Sequence, residues 1–314
     1  MKNKRIGIIG AGAVGATAAF SLAISGTCSE IILYDIDVDI AMGKAIDIEQ
    51  STNYSPNGTI ITGAKEPSDV CDCDIVVITA GVPRKGDMTR EDLLMINAKI
   101  MKDVVTNIKQ YSPNSIILCV SNPLDVMTYV CHKITQWDSN RIIGMAGALD
   151  GSRMSYQINN TLGFGRAQTK SMVIGDHGEN MIPVPSMSSI GGVPLTELVS
   201  KEQMEQIINR TKDGGAQIVK HLGTSAYYAP GRAVAHTVEA ILNDSKIIIP
   251  SSVMLNGEYN QNDITVGVPV VIGKNGVEKI IELQLDDELK NKFNKSVDTI
   301  NQSINILKQN NFFL

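Results

Sequence analysis

The 314-residue chain lacks a surplus of positive charge: 28 Lys and Arg stand against 33 Asp and Glu, for a net charge of −5. That excludes a general polyanion-binding surface, and no nucleic-acid partner is expected. It also lacks any apolar run near the ~18 residues of a membrane span, so no membrane partner is expected. No leader is expected either, because MKNKRIGIIGAG passes into a strand-like run within a few residues. Cysteine is sparse and odd in number, five in all (Cys28, Cys71, Cys73, Cys119, Cys131), with none in the second half. An odd count in a long chain argues against a disulfide framework and for a cytoplasmic protein. Cys71 and Cys73 have no second Cys/His pair at zinc spacing, so no metal is expected. Internal repeats and low-complexity linkers are missing as well.

What is present is the balance of a soluble globular protein, with 43% hydrophobic and 19% charged residues. The first half alternates short β-branched runs with helical patterns. RIGIIG (5–10), EIILYD (30–35), TIITG (59–63), DIVVITAG (74–81) and SIILCVSN (115–122) read as strands. AVGATAAFSLAIS (13–25), stopped by Gly26, reads as a helix, as do IAMGKAIDIEQS (40–51) and Thr89 to Tyr111, the last with a capped start at Thr89-Arg90-Glu91-Asp92. Continuous apolar strands interleaved with helices predict a doubly wound parallel sheet, covered on both faces. The second half differs. Asn256-Gly257 and Asn275-Gly276 sit between apolar stretches and signal hairpins, so antiparallel sheet is expected there. Helices near 151–163, 200–230 and 286–309 complete an α+β domain. The expected fold class is therefore α/β, with a first domain over 1–147 and a second over 148–314.

Gly10-Ala11-Gly12-Ala13-Val14-Gly15 is a G-x-G-x-x-G between a strand and a helix. Gly10 permits the tight turn, Gly12 lets backbone approach a pyrophosphate, and Gly15 lets helix pack against strand, the Rossmann-type arrangement. The helix N-terminus then receives the phosphates. Asp35, twenty positions after Gly15 at the end of the second strand, can accept both ribose hydroxyls and would repel the extra phosphate of NADP. Asp37 adds to that repulsion, so NAD is the expected cofactor.

Four histidines are available for proton transfer, and His132, His221 and His236 lie inside helical patterns that suit packing or surface roles. His177 lies in Ile174-Gly175-Asp176-His177-Gly178-Glu179-Asn180, on a turn with glycine on both sides of the Asp-His pair, free to face a cleft. Asp150 and Arg153 lie three apart at a helix start and share a face. A carboxylate there can orient a histidine and an arginine can grip a carboxylate, though an ordinary surface ion pair has the same spacing. Asn122, in the Ser-Asn-Pro turn after a strand's carboxyl end, is either a polar ligand contact or simply a turn residue.

Together these residues resemble the lactate/malate dehydrogenase family, from about Arg5 to the last helix. The resemblance is carried in order by GAGAVG (10–15), YDID (34–37), ITAGVPRKGDMTREDLL (78–94), VSNPLDVMTYV (120–130), AGALDGSR (146–153), GDHGEN (175–180), TSAYYAP (224–230) and VGVPVVIGKNGVEKIIEL (266–283). It implies that His177 is the acid/base, held by Asp150. Arg153 would grip the substrate's C1 carboxylate, Arg90 would polarise the carbonyl, and Asn122 would assist. Gly10, Ala11, Gly12, Ala13, Val14, Gly15, Asp35, Asn97, Val120, Ser121 and Asn122 would line the NAD site. Family members that use malate carry an arginine at the position of Arg84, six residues before Arg90, where those that use lactate usually have a neutral glutamine. A second carboxylate is what a cation there would meet, so the expected substrates are the small dicarboxylates oxaloacetate and malate, with pyruvate and lactate as the alternative. The family forms dimers or tetramers, and a homo-oligomer is expected. The chain departs from the family at Gly86 and Asp87, which loosen the loop and place an anion beside the substrate, at Glu179 where aspartate is usual, and at Gly231-Arg232. An NAD-dependent glycosidase would recruit a metal through Cys and His near the Ser-Asn-Pro and GDHGEN segments, but Ser121 precedes Asn122 and no cysteine follows Cys131. A catalytically dead NAD-binding regulator has no physical need for all of His177, Asp150, Arg153, Arg90 and Arg84.

Overall fold

Five- and four-residue runs of Ile, Val and Leu form the centre of a parallel sheet in the computed structural model, which describes residues 4–55, 58–83 and 88–313. The strands are β1 (Arg5–Ile9), β2 (Glu30–Tyr34), β3 (Ile60–Gly63), β4 (Ile75–Ile78), β5 (Ile116–Cys119) and β6 (Ile142–Gly144). β4, β5 and β6 are buried at every residue, as strands must be when helices cover both faces. The helices of this half are α1 (Ala13–Ser25), α2 (Val38–Ser51), α3 (Arg90–Tyr111) and α4 (Leu124–Thr135). The expected capping box is present: Thr89 Oγ1 accepts from Asp92 N at 3.0 Å while Asp92 accepts from Thr89 N at 3.0 Å.

The second half contributes α5 (Gly147–Leu162), and then five two-residue strands: β7 (Thr169–Lys170), β8 (Val173–Ile174), β9 (Ile182–Pro183), β10 (Ser189–Ile190) and β11 (Val193–Pro194). After them come α6 (Lys201–Leu222), α7 (Tyr228–Leu242), β12 (Ile247–Asn256), β13 (Asn262–Gly273), β14 (Gly276–Ile280) and α8 (Asp287–Gln309). The large sheet runs β14-β13-β12-β6-β5-β4-β1-β2-β3. The antiparallel strands expected from the two Asn-Gly pairs are thus found, as a continuation of the parallel sheet through the residue pair Ser252–Gly144. The single helix expected over 200–230 is two helices. Gly223, at φ 69°, caps α6 in the left-handed region and ends it, and α7 begins five residues later.

Strand order reverses between β1 and β4, the topological switch point where open α/β sheets bind ligands at the carboxyl ends of their strands.

α1 and α7 cross closely because Gly231 has no side chain: a Cβ there would lie 2.6 Å from Thr17 Cβ and Cγ2 and 2.9 Å from Ala18 N. Backbone and a β-branched stem cannot yield cheaply, so Gly231→Ala should destabilise the fold by about 1–3 kcal/mol, as overpacking does. Thermal melting checks this, and an unchanged midpoint would mean that the helices part without cost.

Candidate active site

The turn after β1 is shaped by contacts that only glycine tolerates. Gly10 stands at φ 108°, and a Cβ on it would come within 2.5 Å of Thr79 Oγ1 and 2.7 Å of Ala80 N. At Gly15 a Cβ would meet Gly10 O at 1.9 Å, so α1 lies directly on the strand end. Gly12 is different: nothing lies within 4 Å of its Cβ position, and that face of the turn is open. α1 has no side-chain cap and no acid in its first turn, which leaves the amides at Ala13 and Val14 and their dipole for an anion. Asp35 Oδ2 accepts from Ala11 N at 2.6 Å, and Oδ1 from Asp37 N at 3.1 Å. From the other side, Lys44 Nζ donates to Ala11 O at 2.6 Å.

These residues border a cleft of about 460 Å³ whose walls include Gly10, Gly12, Asp35, Ile36, Thr79 and Val82. Ile36, 93% exposed, offers it an apolar ledge. The open face at Gly12, the uncapped helix and the carboxylate at the second strand's end suit a dinucleotide. Asn97, expected at this site, is buried and bonded wholly to the chain: Oδ1 accepts from Val82 N at 2.9 Å, and Nδ2 donates to Asn122 O at 2.8 Å. It fixes the cleft wall to the segment after β5. Ser121 does likewise, donating to Ala80 O at 2.6 Å, and Val120 N bonds Ile78 O at 2.9 Å. Asn122, exposed, follows at the rim.

Asp150, on the first turn of α5 and 2% exposed, accepts from two groups at once. His177 Nδ1 lies 2.8 Å from Oδ2, and Arg153 Nη1 lies 3.1 Å from Oδ1. The helical i,i+3 spacing puts Arg153 beside the acid, where its aliphatic stem lies against Gly214 and its guanidinium against Gly215 of α6. With Nδ1 engaged, Nε2 is the ring nitrogen left to face the cleft. That cleft, about 310 Å³, is bordered by Arg90, Pro123, Asp176, His177 and Glu179. Burial pushes the imidazole pKa down, but the charge and hydrogen bond of Asp150, with the charge of Asp125 behind, reverse this and hold it above 6.5. Arg90 reaches the same mouth from the start of α3, where it pairs with Glu179 at 2.9 Å, both side chains about four-fifths exposed (79% and 82%). Arg84, like Gly86 and Asp87, lies outside the described residues. The other histidines sit in helices: His132 in α4, buried and pushed down to about 4, and His221 and His236 exposed on α6 and α7.

Sequence reasoning assigns no role to two acids around His177. Asp125, on α4 and buried, accepts from His177 N at 2.8 Å. The only sequence signal for it was a lone carboxylate in the apolar run Leu124–Val130. Asp176 is nearly buried, and burial first, then the charge of Asp125, push it up to about 6. Because Asp150 raises the histidine above its unfolded value, its protonation favours the folded state below pH 6.5, a benefit lost as pH rises through the folded pKa. Asp150→Asn should therefore lower the His177 ring pKa, read as the NMR titration of one of only four histidines. An unmoved titration would mean that the contact with Asp150 does not set the charge state of the imidazole.

Comparison with known proteins fits this geometry. Residues 4–144 match the family model described as the lactate/malate dehydrogenase NAD binding domain, and residues 147–311 match that of the lactate/malate dehydrogenase alpha/beta C-terminal domain. The malate dehydrogenase of Sulfurimonas denitrificans is 51% identical over 313 residues, covering 99% of this chain and 98% of that protein. Among solved structures, malate dehydrogenase from Salinibacter ruber superposes with a TM-score of 0.93 at 37% identity, covering 97% of this chain and 98% of that one. Lactate dehydrogenase from Cryptosporidium parvum, complexed with lactic acid and nicotinamide adenine dinucleotide, gives 0.93 at 34% identity, with 98% and 99% covered. With matching models over both halves and near-complete relatives at this identity, the chain belongs to the lactate/malate dehydrogenase family of NAD-dependent oxidoreductases.

Proposed function

We propose that this protein interconverts malate and oxaloacetate, and the observation that carries the mechanism is Asp150 holding His177 and Arg153 together. NAD, when bound, supplies a hydride in the reduced form and accepts one in the oxidised form. Arg153, its guanidinium oriented by Asp150, grips the C1 carboxylate of the substrate through paired hydrogen bonds. That fixes C2 and its oxygen relative to Nε2 of His177. In reduction, protonated His177 gives the Nε2 proton to the carbonyl oxygen as the C2–H bond forms and the C=O π bond breaks. In oxidation the neutral ring takes the hydroxyl proton. Asp150 stabilises the imidazolium and keeps Nδ1–H directed at itself throughout. Arg90, released from Glu179, polarises the carbonyl, a stabilisation of several kcal/mol in a site without water, and Asn122 assists at the rim. Asp35 selects NAD by accepting from the ribose hydroxyls and opposing a further phosphate.

Arg84 is the residue we assign to the substrate's second carboxylate. The support is its place six residues before Arg90, and curated relatives at 43–51% identity that are malate dehydrogenases. The fold does not discriminate, since a lactate dehydrogenase superposes as well as the malate enzymes do. The same reading divides the chain into an NAD domain over 1–147 and a substrate domain over 148–314, working as a homodimer or homotetramer in the cytoplasm.

Oxidation of NADH with oxaloacetate or pyruvate, in parallel for wild type and Arg84→Gln, tests the substrate assignment. Wild type should prefer oxaloacetate by roughly 10⁴-fold or more, because an unmatched guanidinium rejects a methyl group, and the substitution should remove most of that preference. Preference of the wild type for pyruvate would overturn the malate assignment and leave the hydride chemistry in place.

A further inference from the structure

Three separate contacts converge on residues 175–177, and the roles assigned above account for none of them. Gly175 and Gly267 of β13 exchange two backbone hydrogen bonds, at 2.8 and 3.0 Å. Asp125 accepts from His177 N. The third contact comes from α8, more than a hundred residues on. Ser296, wholly buried, accepts from Asp176 N and donates to Asp176 Oδ1 at 3.2 Å. The fit is tight on both sides. A Cβ on Gly175 would lie 2.8 Å from Ser296 Oγ, and one on Gly178 would lie 2.8 Å from Asp176 Oδ2. The Asp176 carboxylate is therefore folded over the turn that carries His177, with one oxygen against the hydroxyl and the other against Gly178. Ser296 is also the one small polar residue in the buried stripe Phe293, Ser296, Val297, Ile300, Ile304 of α8. An alanine would fill that place in an apolar stripe at no cost in volume; the hydroxyl has a purpose of its own.

We propose that Ser296 is a positioning residue for proton transfer: by gripping Asp176 it holds a carboxylate beside His177 and sustains the charged imidazole. This rests on His177 being the acid/base group. The groups facing Asp176 are Asp125 from α4, Asp150 from α5, His177 itself and Lys212 from α6, and Lys292 and Lys295 of α8 bear on Lys212. Burial and Asp125 push Asp176 up to about 6, and the Ser296 hydrogen bond pulls it back. Loss of the hydroxyl raises Asp176 further, so that it is protonated over more of the neutral range. A neutral Asp176 no longer supports the imidazolium, and the pKa of His177 falls. Oxaloacetate reduction needs the protonated ring, so the limb on which kcat/KM declines with rising pH moves to lower pH.

The test is kcat/KM for oxaloacetate reduction between about pH 5.5 and 9.5, paired with NMR titration of the His177 ring, in wild type, Ser296→Ala, Asp176→Asn and Thr299→Ala. Asp176→Asn should shift both the limb and the ring titration down by about 0.5–1 unit, and Ser296→Ala by a smaller amount in the same direction. On the alkaline side kcat/KM should fall about 3–10-fold, with little change on the acid side. Thr299→Ala removes the acceptor that the same helix offers Asn180 Nδ2 and should leave the ring titration at its wild-type value. A uniform loss at every pH with an unmoved ring titration would show that Ser296 only packs the turn, and would overturn the proposal. A shifted ring titration with an unshifted rate profile would keep the link from Ser296 to His177 while refuting His177 as the acid/base group. If Ser296→Ala does not fold, Asp176→Asn decides by the same two readings.

Discussion

Asp150 is almost wholly buried, and a carboxylate in that position without partners would cost several kcal/mol. It is held there by two donors from different directions, an imidazole nitrogen and a guanidinium, and its removal would strand both. This shared acid sets the distance between the His177 imidazole and the Arg153 guanidinium. The rest of the site is arranged around it. α5 supplies Asp150 and Arg153 from consecutive turns, and Gly214 and Gly215 leave α6 bare enough for the arginine to lie along it. The turn bearing His177 is then brought up to the acid by β13, α4 and α8 together.

The cleft beside the glycine turn is built on the opposite principle. Its essential feature is what has been left out: a side chain at Gly12, a cap on α1, an acid in the first turn. Fixed amides there need little reorganisation to meet an anion, and Asp35, after the second strand, bonds back to the turn through Ala11 N. Lys44 and Asp35 hold the two sides of the Ala11 residue, so the turn is defined before any ligand is present.

Legibility followed sequence distance. The glycine turn, Asp35, and the Asp150–Arg153 pair are local patterns, and local spacing was enough to find them. His177 stood out because glycines flank it on both sides and the other three histidines fall in helical periods. Asp125 and Ser296 did not stand out, because their partners lie 52 and 120 residues away and each occupies an ordinary place on an apolar helix face. The break between α6 and α7 turned on the conformation of Gly223, which a helical period read across it concealed. The continuity of the sheet was equally hidden, since it depends on one residue pair between β6 and β12.

α4 precedes the boundary by sequence yet packs on β12 and β13 from beyond it. Thr265 of β13 donates to Asp125 O at 2.7 Å, and Tyr129 and Lys133 both reach Asp263. A recombination event that joined the first half of one relative to the second half of another would break these pairs even though the junction fell cleanly between helices. It would also leave a β6 edge facing a foreign β12. The helix that holds His177 N through Asp125 is thereby tied to the strands of the second half, so each half of this chain is shaped to fit the other.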